Sequence, residues 1–281
     1  MKVIRDNKRL EEWVQAQKKM GRRIGFVPTM GALHEGHLTL IRTSKLKSDV
    51  TVCSIFVNPT QFNDAKDLEK YPRNVARDKT LLEGESVDLL YLPDVKAMYP
   101  SGTDAWEPIE FESLDEVLEG AFRPGHFQGV AQVVHRLLKL VRPDELYMGQ
   151  KDFQQVAIIR RMLNLKNISV DLVVVPIVRE LHGLAMSSRN ERLSSIDRMR
   201  AAKLYEVLNY IKLGFEEGRA LDEVLNEGRS MLDFPDFRLE YLEVCERTQL
   251  RSLTSWGKQY EMVALVACWV GEVRLIDNVL L

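Results

Sequence analysis

The segment from Gly25 to His37 carries the side chains and spacings best suited to chemistry, in the order Gly-Phe-Val-Pro-Thr-Met-Gly-Ala-Leu-His-Glu-Gly-His. It follows an apolar run, is predicted to turn at Pro28 and Gly31, and then enters a helical pattern. Glycines at such a turn let a phosphate approach the backbone, and a helix N-terminus offers unpaired N–H groups and a partial positive charge. His34 and His37 are three residues apart, so both imidazoles can reach one phosphoryl group from the first helical turn.

Other interpretations of the histidine pair compete with phosphate binding. A zinc site would need a third ligand on the same face, which Glu35 does not provide, and the His-Glu-x-x-His order of metalloproteases is absent. The pair could also cap a helix without any chemistry, but the strand-to-helix context favours a phosphate. The dinucleotide fingerprint and the P-loop lysine motif are both missing, which argues against a dehydrogenase or a P-loop kinase. The pattern is typical of His-x-Gly-His adenylyl or nucleotidyl transfer.

Composition restricts the partners of the chain. Its 281 residues are 45% hydrophobic and carry a formal net charge of -2, which gives no general electrostatic reason to bind nucleic acid or an anionic membrane. The longest apolar run, Met262 to Val270, is far shorter than the roughly 20 residues that span a bilayer. The charged N-terminus lacks the apolar middle of a signal peptide, and Cys53, Cys245 and Cys268 stand in apolar strings. We expect a cytoplasmic protein with reduced cysteines.

Strand-like and helix-like segments alternate through the first two thirds of the chain. Strands are predicted at Arg23 to Val27, Val50 to Val57, Val87 to Leu92, Glu145 to Met148 and Val170 to Val175. Helices are predicted between them at Gly36 to Lys47, Asn74 to Glu83, Val130 to Val141 and Phe153 to Leu163. Because parallel strands need crossover connections, this order predicts an α/β fold with a Rossmann-like parallel sheet covered on both faces.

The pattern changes after Arg179. Charged helices are predicted at Ser195 to Glu217 and Leu221 to Leu232, followed by strands at Phe237 to Val244 and Met262 to Trp269. This predicts a second, smaller α+β domain. The expected domains are residues 1–176 and 177–281, with the boundary near Pro176, and the absence of a Gly/Ser/Pro-rich linker predicts that they pack closely.

Several further motifs resemble one family in particular, over almost the full length. They are Pro28-Thr-Met-Gly-Ala-Leu-His-Glu-Gly-His37, Phe56-Val-Asn-Pro-Thr-Gln-Phe62, Tyr71-Pro-Arg73, Arg123-Pro-Gly-His-Phe127, Gly149-Gln-Lys-Asp-Phe-Gln-Gln155, Met186-Ser-Ser-Arg-Asn190 and Arg274-Leu-Ile-Asp277. Together they resemble the pantothenate synthetase, or pantoate beta-alanine ligase, family. The His-x-Gly-His element alone would indicate only the wider nucleotidyltransferase group, so another small-molecule nucleotidyltransferase is the alternative.

The resemblance implies a two-step reaction. ATP and (R)-pantoate, with Mg²⁺, would give pantoyl adenylate and pyrophosphate, and beta-alanine would then attack the acyl carbon to release pantothenate and AMP. It also implies a homodimer in which a Rossmann-like N-terminal domain is covered by a C-terminal lid domain. The expected small molecules are therefore ATP, (R)-pantoate, beta-alanine and Mg²⁺.

The resemblance also assigns an ATP site. His34 and His37 would lie against the phosphates, with His37 in the main transition-state role, worth roughly two to four powers of ten in rate. Lys151 would meet a phosphate at the end of a strand, and Asp152 would both cap the next helix and lie at the ribose. Ser187, Ser188 and Arg189 would clamp the triphosphate. The remaining expected nucleotide contacts are Met30, Gly31, Gly149, Val178 through its backbone, and Met186.

Pantoate carries one carboxylate and two hydroxyls, so neutral amides suit it because they both donate and accept hydrogen bonds. Gln61 and Gln155 are the predicted contacts, with Asn58 supporting the pocket and Gln154 on the helix surface. No direct protein ligand to Mg²⁺ is predicted, because the ion keeps several waters, and Asp67 is expected to act only indirectly. Arg123, His126 and Tyr71 are candidate wall residues, whereas His135 is expected to be structural. The sequence departs from the family at His182, where an acidic residue is usual.

Overall fold

A six-stranded parallel sheet occupies the N-terminal part of the chain, and a three-stranded antiparallel sheet the C-terminal part. The structure, a computed structural model, describes residues 1–257, 259 and 261–281, apart from the side chain of residue 104. The strands are β1 Lys2–Ile4, β2 Ile24–Thr29, β3 Val50–Ile55, β4 Leu89–Tyr91, β5 Glu145–Gly149, β6 Asp171–Val175, β7 Phe237–Glu246, β8 Met262–Val270 and β9 Val273–Leu280.

The helices lie mostly between these strands. They are α1 Asn7–Lys19, α2 Glu35–Lys47, α3 Ala65–Lys70, α4 Val75–Gly84, α5 Val95–Met98, α6 Glu119–Phe122, α7 His126–Val141, α8 Phe153–Leu165, α9 Ser195–Arg200, α10 Lys203–Glu216 and α11 Leu221–Ser230. Short 3₁₀ turns cover Pro59–Gln61, Thr103–Ala105, Gln150–Asp152 and Ser188–Arg192. No helix in the described ranges is both long and apolar enough to cross a membrane.

The strand order of the large sheet is β1-β4-β3-β2-β5-β6, and every pairing is parallel. All six residues of β3 are buried, as expected for a central parallel strand covered on both faces. The chain adds strands on one side of β2 and later on the other, so the order reverses between β2 and β5. In such sheets a ligand crevice forms at the carboxyl ends of the strands where the order reverses. The predicted α/β class is confirmed.

Alternate residues of the central strands pack against helices on opposite faces, as the two-residue period of a strand requires. Phe26 and Val52 join the core that includes much of α7. Their neighbours Val27 and Cys53 join the core beneath α2. Twelve of the sixteen residues of α7 are buried, so this helix lies within the protein rather than on its surface.

The small sheet is covered on both faces too. One face packs on α10 and α11 through residues such as Val207 and Val266. The other face contributes Tyr241 and Leu265 to the same core as the parallel sheet. This shared core explains why no flexible linker stands between the two parts of the sequence. The division after residue 176 stays a prediction.

Six of these elements are absent from the sequence prediction, and three of them, α3, α5 and α6, have only four to six residues each. Of the other three, strand β1 has only three residues, helix α1 is dominated by charged and amide side chains, and β9 lacks a regular alternation of apolar and polar residues. The single helix expected from Ser195 to Glu217 is wrong: Ala201 and Ala202 separate α9 from α10. Both alanines have ψ near -20°, a tighter 3₁₀-like turn than the α-helix.

Helix α7 approaches the 3₁₀ turn at Pro59–Gln61 closely enough to require a glycine. A Cβ atom at Gly129 would lie 2.3 Å from the Thr60 carbonyl oxygen and 2.8 Å from the Gln61 nitrogen. The Gly129 carbonyl also accepts a hydrogen bond from Asn58 Nδ2 at 3.1 Å. Position 129 therefore controls where Gln61 sits.

Replacement of Gly129 by alanine tests this contact. Because the new methyl group meets backbone rather than a movable side chain, we expect Gly129→Ala to lower the free energy of unfolding by about 2–3 kcal/mol in urea titrations. Gly84→Ala is the matched control, since nothing lies within 4 Å of a Cβ atom there, and should stay within about 1 kcal/mol of the wild type. Equal stability of the two variants would contradict the close approach.

Candidate active site

A cleft of about 220 Å³ opens where β2 and β5 end. Its walls include the end of β2 with the start of α2, the end of β5 with the start of α8, the segment after β6 up to the 3₁₀ turn at Ser188, the 3₁₀ turn that carries Gln61, and helix α7. The predicted site residues that line it are Met30, His34, His37, Gln61, Tyr71, Arg123, His126, Gly149, Lys151, Asp152, Gln155, Val178, Met186, Ser187, Ser188 and Arg189. Gly31 and Asn58 do not line it.

The chain turns after Thr29 and not at Pro28, which corrects the sequence prediction. Pro28 continues β2, in register with Ser54 of β3. The pairing of β2 with β5 stops at Phe26, so the missing proline N–H leaves no gap in that ladder. The hydroxyl of Thr29 then donates to the Ser54 carbonyl at 2.8 Å and accepts the Gly31 N–H at 3.1 Å.

Asp78 of α4 holds the turn from beneath. Its side chain is almost fully buried and accepts the N–H of Ala32 at 2.9 Å and that of Leu33 at 2.8 Å. Burial raises the pKa of this carboxyl, against the effect of the two N–H groups. Gly31 has φ +83°, and a Cβ atom there would lie 3.0 Å from Asp78 Oδ2. Gly31 therefore shapes the turn, and the prediction that it contacts the nucleotide directly is not supported by its position.

The two histidines cap helix α2 for each other. His34 is the N-cap, and its Nδ1 accepts the Gly36 N–H at 3.2 Å. His37 is the third helical residue, and its Nδ1 accepts the His34 N–H at 3.4 Å. Their ring centroids are 4.1 Å apart. Because Nδ1 accepts in both rings, we assign the proton of each neutral imidazole to Nε2.

The backbone N–H groups of this turn are already used within the protein. Those of residues 31–34, 36 and 37 donate to Thr29, Asp78, His37 Nδ1, His34 Nδ1 and the His34 carbonyl. The prediction that unpaired N–H groups of the helix terminus hold the phosphates is therefore wrong for these residues. The side-chain donors that this segment can still offer to a phosphate are the Nε2–H groups of the two imidazoles, beside the single backbone N–H of Glu35 at the first position of α2.

Burial also keeps both rings uncharged. Desolvation lowers the pKa of His34 to about 2, with further lowering by His37 and Lys151. Desolvation lowers the pKa of His37 to about 4, although Asp152 acts in the opposite direction. Both side chains are therefore neutral hydrogen-bond donors at physiological pH, and the positive charge of the cleft comes from other residues.

Lys151 and Asp152 follow β5 in the 3₁₀ turn at Gln150–Asp152, opposite the histidines. Lys151 Nζ lies 3.6 Å from Asp152 Oδ1. Asp152 occupies the N-cap position of α8, but its side chain makes no capping hydrogen bond, which corrects the predicted capping role. Gln154 is another correction: it is buried, accepts the Glu119 N–H and donates to two carbonyls, so it is not on the helix surface.

Gln61 enters the cleft from the 3₁₀ turn next to α7. Asn58 is 1% exposed and donates to Gln61 Oε1 at 3.2 Å, so it orients this amide from behind instead of contacting a ligand. The Tyr99 hydroxyl in turn donates to Asn58 Oδ1 at 2.7 Å. Among the residues that the structure describes, Gln61 Nε2 has only the Met30 sulfur as an acceptor, at 3.2 Å. Thioether sulfur is a weak acceptor, so a ligand oxygen can replace it.

Arg123 and His126 fix the backbone of the same turn. His126 Nδ1 donates to the Gln61 carbonyl at 2.7 Å, and its Nε2 lies 3.1 Å from Arg123 Nη1, which donates to it. Desolvation, and then Arg123, lower the pKa of His126 to about 3. These residues support the wall that carries Gln61 and line the cleft at the same time.

The segment that follows β6 closes the cleft on its third side. The Met186 N–H donates to the Val178 carbonyl at 2.9 Å, which pairs the two halves of this segment. Ser188 Oγ donates to the Ala32 carbonyl at 3.0 Å and so ties the segment to the turn after β2. Ser187 Oγ accepts the Arg189 N–H at 3.2 Å.

Arg189 faces a second cavity of about 520 Å³ that adjoins the cleft. Its guanidinium donates to Asp67 Oδ2 at 2.8 Å, and Arg192 donates to Asp67 Oδ1 at 2.9 Å. Burial alone would raise the pKa of Asp67, but the two arginines lower it overall. Arg192 was missed by sequence reasoning, although it lies three residues after Arg189 in the same 3₁₀ turn.

Two of the five histidines lie outside the cleft lining. His182 has its Nε2 3.7 Å from Glu180 Oε2, and the same carboxylate is bound by Arg198 and Asn190. His135 lines a separate cavity, with its ring 5.5 Å from that of Trp106. Across the described residues, no group of three or more His, Cys, Asp or Glu side chains is arranged to hold a metal ion.

Known proteins resemble this chain over nearly its whole length. A family model described as pantoate-beta-alanine ligase matches residues 2–280. A pantothenate synthetase from Bacteroides thetaiotaomicron is 44% identical over 280 residues, which cover 99% of this chain and 98% of that protein. A pantoate-beta-alanine ligase from Schizosaccharomyces pombe is 42% identical over 280 residues, with the same coverage of both chains.

Solved structures agree with this similarity. The crystal structure of a pantothenate synthetase from Thermus thermophilus has a TM-score of 0.93 and 40% identity, covering 99% of both chains. A pantoate-beta-alanine ligase from Francisella tularensis, solved with beta-gamma ATP and beta-alanine, has a TM-score of 0.83 and 36% identity. It covers 100% of this chain and 97% of that one.

The lowered histidine pKa values predict how stability depends on pH. An unfolded imidazole titrates near pH 6.5, whereas His126 in the folded protein titrates near 3. Below pH 6.5 the unfolded chain binds the extra proton, so stability falls as pH falls, by up to about 1.4 kcal/mol per pH unit for each such residue. We expect urea unfolding of His126→Gln to show a shallower loss of stability below pH 6 than the wild type. Parallel curves for the two proteins would contradict a neutral buried His126.

Proposed function

The chain belongs to the pantoate-beta-alanine ligase family, and from that premise we propose that it makes pantothenate through a pantoyl adenylate intermediate. It is an ATP-using ligase of pantothenate synthesis. One observation carries the proposed route: two neutral imidazole donors face a lysine across the cleft, and two neutral glutamine amides stand beside them. This arrangement suits the joining of a small hydroxy acid to a nucleotide α-phosphate.

In the proposed first step a pantoate carboxylate oxygen bonds to the α-phosphorus, and the bond from that phosphorus to the departing pyrophosphate breaks. Negative charge then develops on the α-phosphoryl oxygens and on pyrophosphate. The Nε2–H groups of His34 and His37 would donate to the α-phosphoryl oxygens, and Lys151 and Arg189 would balance the charge of the leaving group. Such fixed donors stabilise a transition state because they need no reorganisation as the charge moves.

The neutrality of His37 refines its proposed role. Because the pKa of His37 is lowered to about 4, its imidazole is neutral near pH 7 and carries a single N–H proton. That proton can be donated in a hydrogen bond, but the ring lacks the second proton of an imidazolium that general acid catalysis would use. We therefore assign His37 hydrogen-bond donation and not general acid catalysis. Val178, Met186 and the serines of the adjoining segment complete the proposed nucleotide site.

Gln61 and Gln155 are the proposed contacts of pantoate. Both line the cleft, and neither brings a charge that would repel the carboxylate. The Nε2 group of Gln61 has a weak acceptor in the Met30 sulfur, so a pantoate hydroxyl or carboxylate oxygen is the better partner. Asn58 keeps the Gln61 amide in this orientation.

Mg²⁺ is proposed to arrive with ATP. The side chain of Asp152 is 49% exposed and lines both cavities, whereas both oxygens of Asp67 are already bound by arginines. Asp152 is therefore the carboxylate that fits a water-mediated contact with the ion, since Mg²⁺ keeps several waters. When bound, Mg²⁺ would neutralise part of the charge on the departing pyrophosphate. Asp67 is left to restrain Arg189 and Arg192.

In the proposed second step the amine of beta-alanine bonds to the acyl carbon, and the bond from that carbon to the AMP oxygen breaks. The cavity next to the cleft shares Lys151, Asp152 and Arg189 with it and gives beta-alanine a route to the adenylate. Its arginines suit the carboxylate of this substrate. Residues 177–281 would serve as the lid over both cavities.

The cellular setting and assembly are further proposals. The resemblance to the family supports a homodimer without nucleic-acid or membrane partners. Cys53, Cys245 and Cys268 are buried and free, which suits a reducing cytoplasm.

Isotope exchange tests the adenylate route. We expect labelled pyrophosphate to enter ATP only when (R)-pantoate is present, with no need for beta-alanine. In the complete reaction, pantoate labelled with oxygen-18 in its carboxylate should transfer one labelled oxygen to AMP, because the attacking oxygen stays with phosphorus when AMP leaves. Labelled oxygen in inorganic phosphate, or exchange that does not depend on pantoate, would contradict the proposal.

A further inference from the structure

The end of strand β9 contacts two segments of the ATP site proposed above. Asp277 is 3% exposed and Asn278 is 1% exposed, and neither lines the main cleft. They belong to the small C-terminal sheet, yet their side chains point across to the turn that carries Lys151 and to the segment after β6. The side-chain hydrogen bonds of Asn278 go to the turn that carries Lys151, and not to other strands of its own sheet.

Asn278 uses its whole amide on the turn at Gln150–Asp152. Its Nδ2 group donates to the carbonyls of Gln150 and Lys151, each at 3.0 Å. Its Oδ1 accepts from Gln150 Nε2 at 3.1 Å. Two consecutive carbonyls are thus held by one side chain, which fixes the direction in which Lys151 leaves the backbone.

Asp277 makes the matching contact with the segment after β6. Its carboxylate accepts from Arg179 at 2.6 and 2.9 Å. Arg179 also donates to the Gly183 carbonyl at 3.0 Å, and the central carbon of its guanidinium lies 3.6 Å from the centroid of the Tyr205 ring. The Asn278 N–H donates to Asp277 Oδ1 at 2.8 Å, so the two residues act as one unit.

We propose that Asn278 is a positioning residue for Lys151 in adenylate formation, and that the pair Asp277–Asn278 couples the C-terminal sheet to the ATP site. The inference rests on the proposed function, because it needs Lys151 to act in the first step. Asn278 does not line the main cleft, and its side-chain amide is bonded to the turn, so its effect on the reaction passes through that turn. It acts by holding the lysine ammonium where charge develops.

The sharpest variant is Asn278→Asp, which keeps the size of the side chain but replaces the NH2 group, the donor of both hydrogen bonds, by a carboxylate oxygen that faces the same two carbonyls and cannot donate. The turn must then shift, and a displacement of about 1 Å at a catalytic group can cost on the order of 100-fold in rate. We expect pantoate-dependent pyrophosphate exchange to fall by at least about 10-fold. The KM for pantoate should change little, because Gln61 and Gln155 stand on other elements.

Two readouts separate positioning from general loosening of the protein. Reaction of beta-alanine with preformed pantoyl adenylate should be unchanged, since no pyrophosphate leaves in that step. In a double-mutant cycle, Asn278→Asp should cause no further loss of exchange once Lys151 is replaced by alanine, because its effect passes through that lysine. Gln150→Ala is the matched control: it removes one bond to Asn278, spares both carbonyl contacts, and should retain most of the exchange.

The outcomes distinguish this inference from the function on which it rests. Wild-type protein without pantoate-dependent exchange would overturn both. If the wild type shows pantoate-dependent exchange, two results would overturn only the positioning role. One is that the losses of exchange caused by Asn278→Asp and Lys151→Ala add up in the double mutant, and the other is that Asn278→Asp slows both half-reactions equally. If Asn278→Asp does not fold, Asn278→Ala takes its place, since it deletes the donors without adding a charge; normal exchange in that variant would also overturn the inference.

Discussion

Two hydrogen bonds, donated by the backbone N–H groups of Ala32 and Leu33 to the Asp78 carboxylate, are the constraint on which the rest of the site depends. They hold the chain in a left-handed turn between β2 and α2, where Ala32 has φ +50°. The turn places His34 at the N-cap and lets His37 reach back to it. It also presents the Ala32 carbonyl to Ser188, which brings the segment after β6 against the cleft. One buried carboxylate thus orders two of the segments that form the walls of the cleft.

This constraint changes the chemistry expected of the helix terminus. A turn whose N–H groups are satisfied by the protein cannot use them to bind phosphate, as a P-loop does. It presents imidazole Nε2–H groups in their place, and burial keeps those rings neutral. Charge and hydrogen bonding are therefore separated: the histidines donate from one side, and Lys151 and Arg189 supply the positive charge from the other. The separation suits a transition state whose charge is spread over an α-phosphoryl group and a leaving pyrophosphate.

The sequence predicted those features that depend on neighbours along the chain. Alternating strands and helices predicted the parallel sheet, and the position of Lys151 after a strand placed it at the crevice, because the carboxyl ends of parallel strands share one edge. Asp78 was missed because its partners lie 45 and 46 residues away, a distance that no local pattern records. Asn278 was missed because β9 itself was not predicted. Asn58 was placed with the pantoate pocket from its motif, but its contact with Gln61 could be found only in the structure, because the sequence cannot tell an amide facing a ligand from one that orients its neighbour.

The most direct test of the central claim is a crystal structure with a non-hydrolysable ATP analogue and (R)-pantoate. We expect the α-phosphoryl oxygens to lie about 2.7–3.2 Å from the Nε2 atoms of His34 and His37. Asp78 should still hold the N–H groups of Ala32 and Leu33 in that complex. Phosphate bound directly to those N–H groups, with the Asp78 carboxylate displaced, would contradict it.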